Sequence, residues 1–208
     1  MADNGWAGTV MGWMDTGGWV MWILLLFSIV ALAVGAERAI VLGQARKQSK
    51  RFLARFHAGL RRRAPNAELL KICAEEDGPL ARVAEAGLRR FDGTLQQVEA
   101  TLERHAAREL RALSKRLGFL STISNAAPLL GFLGTVVGMM AAFLAIGNFG
   151  QANPAAVAEG IGEAMMTTAA GLIVALPTQL AFNGLQGWAH RLEGDLEGVA
   201  NALLEMKA

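Results

Sequence analysis

Residues 117–158 read LGFLSTISNAAPLLGFLGTVVGMMAAFLAIGNFGQANPAAVA, 42 positions without an Asp, Glu, Lys or Arg. A spanning helix rises about 1.5 Å per residue, so roughly 20 apolar residues cross a ~30 Å hydrocarbon core. The stretch is too long for one crossing. Its weak point is GNFGQANP at 147–154, a cluster of turn formers and helix breakers. The pattern predicts one helix over 119–147, a short loop over 148–155 and a further helix over 156–187, with Pro154 just ahead of its start.

Two more charge-free runs lie on either side, Thr16–Ala36 with 21 residues and Ala164–Ala189 with 26. Hydrophobic residues make up 53% of the 208 and charged residues 18%. With a mean hydropathy of +0.32, these runs exclude a water-soluble fold. The first run, WVMWILLLFSIVALAV at 19–34, has no Lys or Arg before it and is too long for a secretory signal core, so it reads as a retained helix over 19–42. The fold class is an all-α membrane protein with three transmembrane helices.

Orientation follows from charge. Residues 43–118 carry 17 Lys and Arg against 9 Asp and Glu, so the positive-inside rule places this segment and 188–208 in the cytoplasm. Residues 1–18 and the 148–155 loop then lie outside. Trp6, Trp13, Trp19 and Trp22 crowd the outer end of helix one, and Trp188 sits at the inner end of helix three, as lipid-anchored interfacial rings do.

The basic segment reads as helix. Leu80, Val83, Ala84, Leu88 and Phe91 form one apolar series, and a capping-box pattern, Thr94-x-x-Gln97, opens a second with Leu95, Val98, Leu102, Ala106, Leu110, Leu113 and Leu117. Such a stripe requires a partner. It is expected to continue into helix two as one rod, so that helices two and three both extend into the helical cytoplasmic region. The charged face, with Arg104, Arg108, Arg111, Lys115 and Arg116, reads as a solvated face and an anchor to membrane lipids. No aromatic or Gly-rich readout element accompanies it, so no nucleic acid partner is expected.

Helix two presents a small-residue face through Gly131, Thr135, Gly138 and Ala142, with Gly134-x-x-x-Gly138 as a close-approach motif. Helix three repeats the device through Gly160, Ala164, Thr168, Gly171 and Ala175. Close helix packing accounts for Gly131, Gly134, Gly138, Gly160 and Gly171. Thr135 and Thr168 fall at similar depth near mid-membrane, where a hydroxyl either bonds its own helix or lines a path. Glu163 is the sharper signal. A carboxyl group within a span is costly and normally faces a bundle interior, a cavity or an ion path, unless it reaches interfacial water. Pro128 and Pro177 are the candidate kinks.

No span carries a paired His, Asp and Glu set, a Ser-x-x-Lys pair or a ligand cluster, so neither an enzyme nor a cofactor is implied. The lone Cys73 and the scattered His57, His105 and His190 supply no disulfide framework and no closed metal site.

Two stretches, SNAAPLLGFLGTVVGM at 124–139 and GIGEAMMTTAAGLIVALP at 160–177, closely resemble the MotA/TolQ/ExbB proton-channel family, the ExbB/TolQ branch above all. The resemblance implies a homopentamer in the bacterial inner membrane, with its N-terminus periplasmic and its C-terminus cytoplasmic. It implies a central pore lined by helices two and three that holds the helices of a single-span ExbD- or TolR-like partner, and work passed on to a TonB- or TolA-like protein. The family's threonines fall on Thr135 and Thr168, its glutamate on Glu163 and its proline on Pro177, while Thr167 adds a second hydroxyl. A fourth span, as in a flagellar stator subunit, is absent from the layout. Two alternatives stay open: a structural membrane scaffold without proton conduction, and a stator for another envelope task such as gliding or secretion.

Overall fold

The computed structural model describes Gly12, Met14 and residues 17–149 and 154–207. Trp6 and Trp13 lie outside the described residues, as do residues 150–153, half of the expected loop. Every described element is helical: α1 Gly18–Arg61, α2 Asn66–Glu75, α3 Pro79–Arg89, α4 Leu95–Ser114, α5 Leu117–Phe149 and α6 Pro154–Lys207. Among the described residues three helices are long and apolar enough to cross a membrane, within Gly18–Arg61, Leu117–Leu144 and Val157–Lys207. The protein is a multi-pass membrane protein.

Local chemistry sets the ends. α1 stops ahead of Arg63, which takes φ 52°, and Pro65 then supplies an extended residue before α2. Pro79 opens α3 at a position where its missing N–H costs nothing. Thr94 and Gln97 form both halves of the capping box that starts α4. Pro128 lies inside α5 and Pro177 inside α6, and neither ends its helix.

The chain divides into two compact units. One comprises Met1–Gly35 with Gly118–Phe182, and the other Ala36–Leu117 with Asn183–Ala208. In the first, Val20, Met21 and Leu24 of α1 are buried in one cluster with Ala127, Ala170 and Ala175. Large side chains such as Leu32, Phe132, Phe143, Ile173 and Leu180 are exposed instead, as befits a solvent of hydrocarbon.

In the second unit the apolar stripes find their partners within the chain. α2 packs on α3 and α3 on α4. Leu80, Val83, Leu102, Leu196 and Leu203 are fully buried, each burial contributing about 1.5–3 kcal/mol. Phe52 and Phe56 stack with ring centroids 4.9 Å apart. Arg82 ties α3 to α4 through two hydrogen bonds to Glu109, at 2.8 and 2.6 Å, and this carboxylate holds the guanidinium above its ordinary range. Lys207 Nζ donates to Phe91 O at 2.6 Å, bringing the end of α6 to the α3–α4 turn. Trp188 has a protein neighbour too, with Arg46 lying 5.8 Å over its ring. Leu95 departs from its series and is 44% exposed, because the first residue of α4 overhangs the core.

The expected rod does not form. α4 stops at Ser114, Lys115 turns to φ −55°, ψ 136°, and Arg116 takes φ 68° before α5 starts at Leu117. α1 and α6, with 44 and 54 residues, are the helices that contribute residues to both units in full runs. The expectation that helices two and three extend is thus corrected to helices one and three. A non-glycine residue in the left-handed region costs about 1–3 kcal/mol and persists only where its surroundings hold it. Here Arg116 Nη1 donates to both Glu37 oxygens, at 2.6 and 2.5 Å. Glu37 also accepts from Arg38 Nη2 at 2.7 Å, and Arg38 Nη1 reaches Ala112 O at 3.5 Å. A long-range ion pair accompanies the break.

Candidate functional site: the α5–α6 seam and Glu163

α5 and α6 approach through glycines. A Cβ on Gly171 would lie 2.6 Å from Ala127 O and 3.1 Å from Gly131 Cα. One on Gly131 would lie 2.9 Å from Thr167 O, one on Gly138 would lie 3.0 Å from Gly160 O, and one on Gly160 would lie 2.8 Å from Ala142 Cβ. A Cβ on Gly134 would overlap the Thr167 hydroxyl and stand 2.5 Å from Thr167 Cβ. The two small-residue faces therefore meet each other within one chain. No side chain fits at these glycine positions, which is how helices gain contact where the hydrophobic effect offers no drive.

This closeness brings hydroxyls to backbone. Thr168 Oγ1 donates across the seam to Gly131 O at 3.1 Å. Thr167 Oγ1 donates to its own Ala164 O at 2.8 Å and also reaches Gly131 O at 3.4 Å. Thr167 is buried, at 1% exposure. Thr135, half-buried, donates to its own Phe132 O at 2.6 Å. Thr168 thus bonds Gly131 O and Thr135 bonds Phe132 O, neighbouring carbonyls of α5, so the two hydroxyls lie at one level of the helix pair. Each spends its proton on a carbonyl and keeps its lone pairs, so each can accept a hydrogen bond from an acid or a water.

Glu163 is placed differently. It is half-buried, and its Oε1 lies 2.7 Å from where a Cβ on Gly18 would stand. The carboxyl meets the start of α1 rather than the seam hydroxyls.

Sequence reasoning passed over three buried polar side chains near the spans. Ser124 Oγ donates to Ser121 O at 2.9 Å, and Thr178 Oγ1 donates to Val174 O at 2.7 Å beside Pro177. Arg38 is only 6% exposed. Its signal was available: Glu37 and Arg38 are the first charges after the run that ends at Ala36. On α4, Glu103, Arg104, Ala107, Arg108 and Arg111 line an open hollow of about 600 Å³. Among the described residues no three His, Cys, Asp or Glu side chains come together to hold a metal. Cys73 is buried, and burial pushes its thiol up to about 12, so it is inert at neutral pH.

The profile of the MotA/TolQ/ExbB proton channel family matches residues 75–198. The chain belongs to that family. It is 31% identical over 190 residues to the Tol-Pal system protein TolQ of Haemophilus influenzae, covering 85% of this chain and 82% of that one. It is 34% identical over 169 residues to a putative biopolymer transport protein, ExbB-like 3, of Synechocystis sp., covering 80% of each. It is 31% identical over 199 residues to the biopolymer transport protein ExbB of Neisseria meningitidis, covering 87% of each. These relatives place this MotA/TolQ/ExbB family chain in the ExbB/TolQ branch. The matched residues contain the whole seam and Glu163, whereas α1 precedes them.

Proposed function

We propose that the protein is the proton-channel subunit of a motor complex in the bacterial inner membrane, driven by the proton-motive force and energising outer-membrane transport or another envelope process. In this reading five copies surround a pore lined by α5 and α6, and the pore holds the membrane helices of an ExbD- or TolR-like partner. A TonB- or TolA-like protein receives the work. The basic segment faces the cytoplasm and the N-terminus the periplasm, as the charge asymmetry of 43–118 favours.

The observation that carries the reading is the seam itself. Within the family-matched residues, Thr135 and Thr168 stand at one level of a tightly packed helix pair, each with lone pairs free to accept a proton-bearing group. The spans offer hydroxyls and, near the start of α6, the carboxyls of Glu159 and Glu163, but no deep proton acceptor, so the group that takes up the proton comes from the partner helix. The subunit acts as a channel wall and not as an enzyme.

The scaffold reading has its own support, since Thr135 and Thr167 both donate to carbonyls of their own helices, as structural threonines do. Reconstitution separates the two. With a single-span ExbD- or TolR-like partner in liposomes, the channel predicts proton flux that requires both proteins, and the scaffold predicts none above that of empty vesicles.

A further inference from the structure

The geometry points to Gly18 as a positioning residue for the Glu163 carboxyl. The proposal rests on the channel reading for its consequence, although not for its geometry. Gly18 opens α1 with φ 61°, in the left-handed region that favours glycine. A Cβ on it would stand 2.7 Å from Glu163 Oε1 and 3.9 Å from Glu163 Cδ, where ordinary carbon–oxygen approaches are about 3.3–3.6 Å. The carboxyl occupies the volume that a side chain at 18 would need.

The register of α1 on α6 supports this placement independently. Val20, Met21 and Leu24 share one cluster with Ala170, Val174 and Ala175. From Gly18 to Leu24 α1 climbs about 9 Å, and from Glu163 to Ala170 α6 climbs about 10.5 Å, so the Gly18–Glu163 contact continues the same interface by one step. Around α6, Glu163, Ala170 and Val174 fall within about 40° of one another, whereas Thr168 lies about 140° from Glu163. The acid therefore belongs to the α1 side of α6 and Thr168 to the α5 side. The room left by the missing side chain at residue 18 sets how far the carboxyl reaches, and α1 becomes part of the proton path's outer end.

The test uses the full chain assembled with its ExbD- or TolR-like partner in liposomes, with flux normalised to intact complex. Gly18→Ala should lower flux roughly ten- to a hundredfold, the effect of misplacing a reacting group by about 1 Å. Glu163→Asp draws the carboxyl back by about 1.5 Å. It should lower flux in the wild-type background and restore most of it in the Gly18→Ala background. Wild-type flux in Gly18→Ala, or a double mutant worse than either single, overturns the proposal. If Gly18→Ala fails to assemble, the Gly18→Ala, Glu163→Ala pair decides. It should assemble as well as Glu163→Ala alone, and failure there assigns the defect to backbone strain and overturns the role. A wild-type complex without flux sinks the channel reading instead, and the same assembly cycle then still decides whether Gly18 makes room for Glu163.

Discussion

Among the seam glycines, Gly171→Ala makes the tightest clash with backbone. The new carbon would stand 2.6 Å from Ala127 O and 3.1 Å from Gly131 Cα, where a relaxed carbon–oxygen contact is about 3.3 Å. Both obstacles are backbone, so no side chain can swing aside and α5 must retreat by about 0.7 Å. A radial gap of that size forfeits a quarter to a half of the dispersion attraction across the neighbouring contacts. Overpacking of this kind costs about 1–3 kcal/mol, while removing a helical glycine returns about 1 kcal/mol. The net expectation is a loss of about 0–2 kcal/mol. Gly198→Ala, in the same helix but with nothing within 4 Å of the new carbon, keeps only the gain of about 1 kcal/mol. The difference between the two variants cancels propensity and isolates the seam, at about 1–3 kcal/mol. Denaturant titration of purified protein in detergent, followed by tryptophan fluorescence, measures both. Equal stabilisation of the two variants would refute the close approach of α5 and α6.

Three further expectations concern Cys73, the membrane topology and the α4–α5 joint. Native Cys73, buried with its thiol pushed up to about 12, should resist thiol reagents at pH 8 even after permeabilisation and react only on unfolding. Rapid labelling of the native protein would contradict its burial. Orientation is therefore read from introduced cysteines. Gln151→Cys should be labelled from outside the cell and exposed Ala74→Cys only once the membrane is opened, and the reverse pattern would invert the topology. At the α4–α5 joint, Arg116→Ala and Arg116→Gly lose the same ion pair to Glu37, but only alanine keeps the strain of φ 68°. Alanine should be the less stable by about 1 kcal/mol, and equal stabilities would mean that the joint relaxes.

Elements whose determinants are local were legible in the sequence. The capping box at Thr94 and Gln97 lies within four residues, and both of its hydrogen bonds form. The three apolar runs declared three helices of spanning length, because a charge-free run of that length has one economical solution in a bilayer. The α4–α5 break was not legible, since nothing local marks Arg116 for the left-handed region and its side chain pairs with Glu37, 79 residues away. Helical spacing showed which residues of α5 and α6 were small, but not that each stripe's partner was the other. It left Glu163 open between a bundle interior, a cavity, an ion path and interfacial water, whereas the structure sets the carboxyl against Gly18 of α1.

Proton flux through the reconstituted complex of a Thr135→Val, Thr168→Val double mutant tests the channel account most directly. Valine removes the hydroxyl and keeps the branch, and Thr167 still reaches Gly131 O at 3.4 Å, so the seam and the assembled complex should survive. The account predicts that flux per intact complex, with the ExbD- or TolR-like partner present, falls roughly a hundredfold, the low end of what a positioned proton-transfer group contributes. Wild-type flux in a fully assembled double mutant would contradict it and leave the hydroxyls as structural bonds of their own helices.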